Sequence, residues 1–181
     1  MNLPNKLTLL RMGMVPFFVF FLLADFVPHR YLFALLLFCA ASYTDHLDGK
    51  IARRDHLITN FGKLTDPLAD KILVMSALIC LVEQGLASSV AVVLVMAREF
   101  AITSIRLLAV EQGRVIAANN WGKAKTVSQM VAIILVLLLQ YLAGFWPQIL
   151  QPVTLAGEVL IWISTFFAVV SGVIYLTTGT W

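Results

Sequence analysis

Half of the chain's acidic side chains lie in one short stretch between two hydrophobic runs. Residues 45–70 read DHLDGKIARRDHLITNFGKLTDPLAD and hold five of the ten Asp and Glu residues. Asp45 and Asp48 are three residues apart and Asp66 and Asp70 are four apart, so each pair shares one face of a helix. Buried carboxylates are costly unless they pair with cations or bind metal. Two pairs of hard oxygen ligands suit Mg²⁺, Mn²⁺ or Ca²⁺, and four carboxylates are enough for two ions.

Small residues accompany these acids. Gly49 and Ala52 follow Asp45 at helical spacing, and Gly62 precedes Asp66 by four residues, so a ligand or a second helix can approach closely. Two divalent ions can clamp a diphosphate and stabilise the charge that shifts to its leaving group. The stretch therefore predicts a metal site for a diphosphate. The alternative is a solvated edge at which the acids pair with the nearby cations Lys50, Arg53, Arg54, Lys63 and Lys71.

The composition of the whole chain is typical of a membrane protein. Its 181 residues are 60% hydrophobic and 13% charged, with a mean hydropathy of +0.90, which leaves too little polar surface for a soluble domain. A bilayer crossing needs about 20 apolar residues. We expect an all-α polytopic membrane protein, a single domain over 1–181, with six transmembrane helices and a short amphipathic N-terminal segment. The predicted spans are 8–25, 31–52, 64–83, 87–109, 124–144 and 153–176.

The chain ends and the two cysteines add further expectations. Arg11 interrupts the first apolar run and no cleavage site follows it, so we expect a retained span and not a signal peptide. Lys and Arg are favoured at the cytoplasmic end of a span, but none follows the last span. We therefore expect a C-terminus that extends past Trp181. Cys39 and Cys80 lie inside apolar runs, which predicts buried hydrophobes and neither a disulfide nor a metal pair.

The basic residues orient the predicted bundle. With both termini on one side, Arg30 is the only Lys or Arg in a loop on the other side. Cytoplasmic loops carry an excess of Lys and Arg. We therefore expect both termini and the acidic stretch at the cytoplasmic face. The basic residues in loops on that side, or at their edges, are Arg53, Arg54, Lys63, Arg114 and Lys123.

The acidic stretch resembles the signature of the CDP-alcohol phosphotransferases. That signature reads Asp-x2-Asp-Gly-x2-Ala-Arg, eight further residues, then Gly-x3-Asp-x3-Asp. Its fixed positions are all present, as Asp45, Asp48, Gly49, Ala52, Arg53, Gly62, Asp66 and Asp70. Asp55 lies outside it and is interpreted as an ordinary loop charge. NLPNKLTLLR at the start, AREFAITSIRLL at 97–108 and GKAKTVSQM at 122–130 resemble members that use glycerol 3-phosphate, so the resemblance covers most of the chain.

The resemblance implies an enzyme that transfers a phosphatidyl group from CDP-diacylglycerol to sn-glycerol 3-phosphate and releases CMP. It implies that Asp45, Asp48 and Asp66 bind divalent metal, two ions of Mg²⁺ or Mn²⁺, and that Asp70 is both a metal ligand and the general base. It also implies a homodimer in a bacterial cytoplasmic membrane, with membrane lipid as a partner and no nucleic acid. The residues implied for CDP-diacylglycerol are Asp48, Gly49, Ala52, Arg53, Gly62 and Asp66.

A glycerol phosphate acceptor requires cations, because its phosphate is a dianion. Arg98 and Arg106 lie eight residues apart inside the fourth apolar run, and an arginine inside a span is usually functional. Lys123 and Lys125 stand at the start of the fifth run. These four residues are the candidate phosphate-binding set. The alternatives are that Arg98 pairs with Glu99 or a neighbouring helix, and that the lysines extend to the membrane interface.

Three other functions share part of this pattern. A relative with another acceptor, such as inositol phosphate, serine or phosphatidylglycerol, would carry the same signature, and only the flanking segments favour glycerol 3-phosphate. Intramembrane prenyltransferases also bind a metal diphosphate through aspartates, but they have more spans and lack the Gly-x2-Ala-Arg element. A divalent-cation transporter would place its acids near the bilayer midplane within a repeated architecture. In this sequence the acids lie at one edge, without a detectable repeat.

Overall fold

Six α-helices make up the part of the chain that the computed structural model describes. Its backbone is described for 3–54, 60–111 and 120–177, and its side chains for 6–44, 68–69, 71–109 and 120–177. No strand occurs in these ranges, so the predicted all-α class is confirmed. The helices are α1 Leu3–Leu23, α2 Arg30–Arg54, α3 Asn60–Glu83, α4 Ser89–Glu111, α5 Asn120–Ala143 and α6 Leu150–Thr177, with a 3₁₀ turn at Pro147–Ile149.

Three stretches of the described residues are long and apolar enough to cross a membrane. They are Lys6–Leu23, Asn120–Ala143 and Pro147–Thr177. The apolar part of α2, Arg30–Thr44, is shorter because this helix continues into the acidic segment. α3 and α4 have 24 and 23 residues, about 35 Å of helix, which exceeds the roughly 30 Å of a hydrocarbon core. That α2, α3 and α4 also cross the membrane remains a prediction.

The N-terminal segment is continuous with the first span. α1 begins at Leu3 and runs without a break to Leu23. Within it Thr8 and Arg11 are fully buried, whereas Leu10 is 55% exposed. Thr8 and Arg11 therefore face the other helices, whereas Lys6, Leu9 and Leu10 face outward.

A glycine turn sends the chain back after α3. Gly85 has a φ of 68°, a left-handed conformation that costs a residue with a Cβ more than it costs glycine. Its N–H donates to the carbonyl of Val82, and the N–H of Leu86 donates to the carbonyl of Leu81, at 2.9 and 2.8 Å. These two bonds form the Schellman motif that satisfies the last carbonyls of a helix. The turn ends α3 and brings α4 back antiparallel to it.

Aromatic rings hold α1 against α2. The ring centroids of Phe18 and Phe38 are 5.8 Å apart, and those of Phe21 and Phe33 are 5.2 Å apart. From the first pair to the second, the residue number rises along α1 and falls along α2, so α1 and α2 are antiparallel. A single cluster of buried apolar residues, to which all six helices contribute, continues this packing through the molecule.

A glycine lets α5 and α6 approach each other closely. A Cβ on Gly157 would lie 3.3 Å from Cγ2 of Val136, so glycine lets the two backbones come together, as small residues do between membrane helices. The α5–α6 and α1–α2 pairs have the most extensive contacts, and α1–α3, α2–α5 and α4–α6 contacts connect them into one bundle.

Both cysteines belong to the interior of this bundle. Cys80 is buried and part of the apolar core, and Cys39 is half-buried. Both are free thiols. The prediction of a small buried hydrophobic side chain is confirmed for Cys80, whereas Cys39 is only partly buried.

Replacing Phe18 with Ala should destabilise the fold much more than the same change at its neighbour Phe17. Phe18 is fully buried and Phe17 is 62% exposed. Deleting a buried phenyl ring costs about 3 kcal/mol, which lowers the melting temperature of a chain of this size by roughly 6–12 °C. Thermal unfolding in detergent measures both variants. Equal shifts for the two would contradict the packing of α1 described here.

Candidate active site

The signature residues occupy the ends of two helices. Asp45 and Asp48 lie in the last three turns of α2, and Asp66 and Asp70 lie in the first three turns of α3. The other signature positions are helical as well, with Gly49, Ala52 and Arg53 on α2 and Gly62 on α3. The spacing of about one turn within each aspartate pair is therefore present in the backbone. The side chains of all eight lie outside the described residues, so their roles remain predictions.

Contacts far from the acids establish how α2 lies against α3. The hydroxyl of Tyr31 donates to Oε1 of Gln84 at 3.3 Å, where α2 begins and α3 ends, so the helices are antiparallel. Fourteen residues forward from Tyr31 is Asp45, and fourteen residues back from Gln84 is Asp70. Because each helical residue rises about 1.5 Å, these two aspartates lie at the same height to within about one turn. Asp48 on α2 and Asp66 on α3 lie at matching heights by the same count of residues.

The first helix brings a buried arginine to this height. Seven residues back from Phe18 is Arg11, and seven residues forward from its ring partner Phe38 is Asp45. Arg11 is fully buried. A buried arginine in a membrane helix requires an anionic or polar environment, so Arg11 is a further candidate member of this site. In the sequence this residue is visible only as an interruption of the first apolar run.

The fifth helix brings a buried lysine to the same height. The rings of His29 and Tyr141 are 5.9 Å apart, which pairs the start of α2 with the end of α5. Sixteen residues forward from His29 is Asp45, and sixteen residues back from Tyr141 is Lys125. Lys125 is 5% exposed. The alternative that this side chain extends to the membrane interface is therefore wrong for Lys125, whereas Lys123 is exposed.

The fourth and sixth helices complete the arrangement. Lys71, which follows Asp70 directly, donates to the hydroxyl of Thr103 on α4. Arg98 on α4 donates to Oγ of Ser171 on α6 at 2.8 Å. The six helices thus place polar residues at about one height near one end of the bundle. This polar layer consists of Arg11, Asp45, Asp70, Arg98, Glu99, Thr103, Lys125 and Ser171.

A buried ion-pair cluster forms the best-defined part of this layer. Oε1 of Glu99 lies 2.7 Å from Nη1 of Arg98 and 2.5 Å from Nζ of Lys125. Glu99 is 8% exposed. One carboxylate oxygen therefore holds two cations from two different helices. The pairing of Arg98 with Glu99 that the sequence left open is present, and a role of Arg98 or Lys125 at the acceptor phosphate stays a prediction.

Arg106 lies two turns beyond Arg98 on the same helix. Its guanidinium carbon is 5.5 Å from the ring centroid of Tyr175 on α6, within the range of a cation–π contact. The side chain is half-buried, and its Nε is buried without a hydrogen-bond partner among the described residues. The ring of Tyr175 therefore contacts a guanidinium that carries five N–H donors. This geometry is compatible with the predicted binding of a phosphate.

The opposite end of the bundle has a different kind of polar contact. Arg30 pairs there with Asp25 and also donates to Gln84 at 3.0 Å. These contacts connect the segment between α1 and α2 with α2 and α3. Arg30 is the one basic residue that the sequence places in a loop on that side. The polar layer and this cluster lie at opposite ends of α2, a 25-residue helix. The candidate active site is therefore the polar layer.

Known proteins resemble this chain over nearly its whole length. The family described as CDP-alcohol phosphatidyltransferase matches residues 1–170, a range that includes all six helices except the last turns of α6. The CDP-diacylglycerol–glycerol-3-phosphate 3-phosphatidyltransferase of Bacillus subtilis is 42% identical over 184 residues, covering 94% of this chain and 91% of that protein.

Proteins of the same name from other bacteria are similar over comparable lengths. The protein from Rickettsia bellii is 34% identical over 174 residues, covering 96% of this chain and 93% of its own length. That of Escherichia coli is 41% identical over 138 residues, or 73% of this chain and 74% of its own length. The family match covers far more than half of the chain, and it includes the predicted signature. This chain therefore belongs to the CDP-alcohol phosphatidyltransferase family.

Proposed function

We propose that this protein transfers the phosphatidyl group of CDP-diacylglycerol to sn-glycerol 3-phosphate, giving phosphatidylglycerophosphate and CMP. The observation that carries this proposal is the 42% identity over 94% of the chain to a phosphatidyltransferase with that name. The four aspartates of the signature, paired in height on α2 and α3, support the same reaction. Such a phosphoryl transfer depends mainly on positioning and electrostatic stabilisation.

Divalent metal belongs to this proposal, and the donor set fits it. The family is generally dependent on divalent metal. Asp45, Asp48, Asp66 and Asp70 are hard oxygen donors on two neighbouring helix ends, the chemistry that Mg²⁺ and Mn²⁺ prefer. Two bound ions would neutralise the diphosphate and stabilise the charge that develops on the leaving CMP. The remaining signature residues, Gly49, Ala52, Arg53 and Gly62, would surround the CDP moiety, with glycine and alanine leaving room for it.

Asp70 is the proposed general base. The hydroxyl oxygen of glycerol 3-phosphate bonds to the phosphorus that carries the diacylglycerol, and the bond from that phosphorus to the oxygen of CMP breaks. The proton of the attacking hydroxyl passes to the carboxylate of Asp70. A carboxylate with an ordinary affinity for protons can serve here because a cationic environment also favours the deprotonated hydroxyl.

Four cations are proposed for the acceptor phosphate, and their positions differ. Arg106, held against Tyr175, has an Nε that makes no hydrogen bond among the described residues, and it is the strongest member of the set. Lys125 and Arg98 stand beside Glu99 in the interior, and Lys123 lies on the exposed side of α5. A phosphate dianion would be attracted to the whole group.

The protein is an integral membrane protein, given its family and its three apolar helices of sufficient length. We further propose a bacterial cytoplasmic membrane, with the polar layer and both termini on the cytoplasmic side. Diacylglycerol chains need a site within the bilayer, and CDP and glycerol phosphate reach it from the cytoplasm, so a polar layer near one membrane surface suits both. A single domain over 1–181 and a homodimer complete the proposal.

The acceptor is tested by measuring CMP release from CDP-diacylglycerol with the purified protein in Mg²⁺ or Mn²⁺. The panel contains sn-glycerol 3-phosphate, inositol phosphate, serine and phosphatidylglycerol at equal concentrations. Glycerol 3-phosphate should give the fastest release. Equal or faster release with inositol phosphate or another member of the panel would overturn the acceptor assignment but leave the family membership intact.

A further inference from the structure

The carboxylate of Glu99 contacts one cation on its own helix and one on a second helix. Its Oε1 lies 2.7 Å from Nη1 of Arg98 on the same helix and 2.5 Å from Nζ of Lys125 on α5. A buried carboxylate with two charge-assisted contacts is stabilised enough to offset part of its desolvation cost. Glu99 is not part of the signature, and it lies about thirty residues beyond Asp70 in the chain.

Arg98 is fixed from a second direction. Its Nη2 donates to Oγ of Ser171 at 2.8 Å, and a Cβ on Gly172 would come within 3.0 Å of its Cγ. The guanidinium is therefore held between a carboxylate and a hydroxyl, over a glycine that leaves space for its stem. This fixed group in turn limits where the Glu99 carboxylate can lie.

Lys125 is the flexible member of the cluster. A lysine has a long stem and a point-like charge, so its position depends on the anion that it meets. An ammonium has three donors, and the contact with Glu99 fixes its direction from the α5 backbone. The same residue lies at the height of Asp45 in the polar layer. Removing the Glu99 carboxylate would remove the anion that holds this ammonium beside α4.

We propose that Glu99 is a positioning residue of the acceptor site, which orients Lys125 and Arg98 toward the phosphate of glycerol 3-phosphate. The inference rests on the proposed function, since it assumes that these two cations face the acceptor. Glu99 itself does not touch substrate in this arrangement. It acts through the cations, and its effect should appear in the use of the acceptor and not in the use of the lipid substrate.

Two physical effects of removing the Glu99 charge oppose each other. A carboxylate near the phosphate repels it, so its removal would strengthen acceptor binding if charge alone mattered. Loss of the anchor would displace both cations, and misplacement by about 1 Å can cost roughly 100-fold in rate. Two cations that share one oxygen also repel each other once the carboxylate is neutral. We therefore expect loss of position to dominate.

The test uses Glu99→Gln and Glu99→Asp, with Glu158→Gln as the matched control. The Gln variant keeps the size of the side chain and removes its charge, and the Asp variant keeps the charge and withdraws it by one methylene. Glu158 lies on the exposed face of α6, outside the polar layer. Both Glu99 variants should raise the KM for glycerol 3-phosphate by about tenfold or more and leave the KM for CDP-diacylglycerol within about twofold, whereas Glu158→Gln should change neither.

The outcomes separate the inference from the proposed function. An unchanged or lower KM for glycerol 3-phosphate in Glu99→Gln, or equal changes in the KM of both substrates, would overturn the positioning role while the wild-type enzyme remained active. If Glu99→Gln does not fold, as thermal unfolding will reveal, Glu99→Asp decides by the same criterion. Absence of acceptor-dependent CMP release in the wild-type protein would instead overturn the proposed function.

Discussion

Replacing Asp70 with Asn should lower kcat by about 10²- to 10⁴-fold. Asparagine has nearly the same shape, but its amide cannot take the proton of the attacking hydroxyl. The backbone of Asp70 lies on α3 at the height of Asp45 on α2, and the variant removes a charge at this height without a change in side-chain size. Steady-state CMP release measures kcat, and thermal stabilisation by added CDP-diacylglycerol measures retained lipid binding.

Asp55→Asn is the matched control for this prediction. Asp55 belongs to the same acidic stretch, and it is the one acid there outside the signature. We expect this variant to keep wild-type activity within about twofold, because the signature assigns Asp55 no role and most substitutions away from such features have small effects. Near-normal kcat in Asp70→Asn would rule out the role as general base. Equal losses in both variants would show that the stretch responds to any loss of charge.

Removing divalent metal should abolish turnover, and this is the second large effect. Four carboxylates near one another repel each other when no cation lies between them, and a diphosphate adds further negative charge. Chelation with EDTA should therefore reduce CMP release to background, and added Mg²⁺ or Mn²⁺ should restore it. Asp45→Asn should raise the metal concentration needed for half-maximal activity by about tenfold or more.

Metal binding can be measured apart from activity. Titration calorimetry with Mn²⁺ should give binding to the wild-type protein and weaker or absent binding to Asp45→Asn and Asp66→Asn. Glu158→Gln, which removes an acid from the exposed face of α6, should bind as the wild type does. Full activity in EDTA, or unchanged Mn²⁺ binding in both aspartate variants, would contradict the metal site.

The hydrophobic pattern was sufficient to predict the helices. Each predicted span overlaps one observed helix, and most ends agree within about four residues, because the energy of exposing apolar residues dominates in so hydrophobic a chain. The largest difference is at the start of α1, which begins at Leu3 and not at residue 8. Asn5 and Lys6 lower the hydropathy just before residue 8, and the polar residues that follow, Thr8 and Arg11, are fully buried. Hydropathy cannot distinguish a polar residue in the interior from one in water.

The site was only partly predictable. The spacing of the aspartates follows from helix geometry alone, so their placement on one helix end each was accessible from the sequence. The Glu99 cluster was not, because it depends on α4, α5 and α6 meeting at one height, and nearest-neighbour patterns do not specify such contacts. Its one signal was the acid beside Arg98 within an apolar run, where an ionisable residue is usually functional.

The most direct test follows the acceptor into the product. Purified protein is incubated with CDP-diacylglycerol, Mg²⁺ and glycerol 3-phosphate labelled in its carbon skeleton, and both the organic phase and free CMP are quantified. Label should enter a lipid in a one-to-one ratio with CMP, giving a product whose headgroup retains the glycerol phosphate. CMP release without label in the lipid, or no release dependent on glycerol 3-phosphate, would contradict the proposed phosphatidyl transfer.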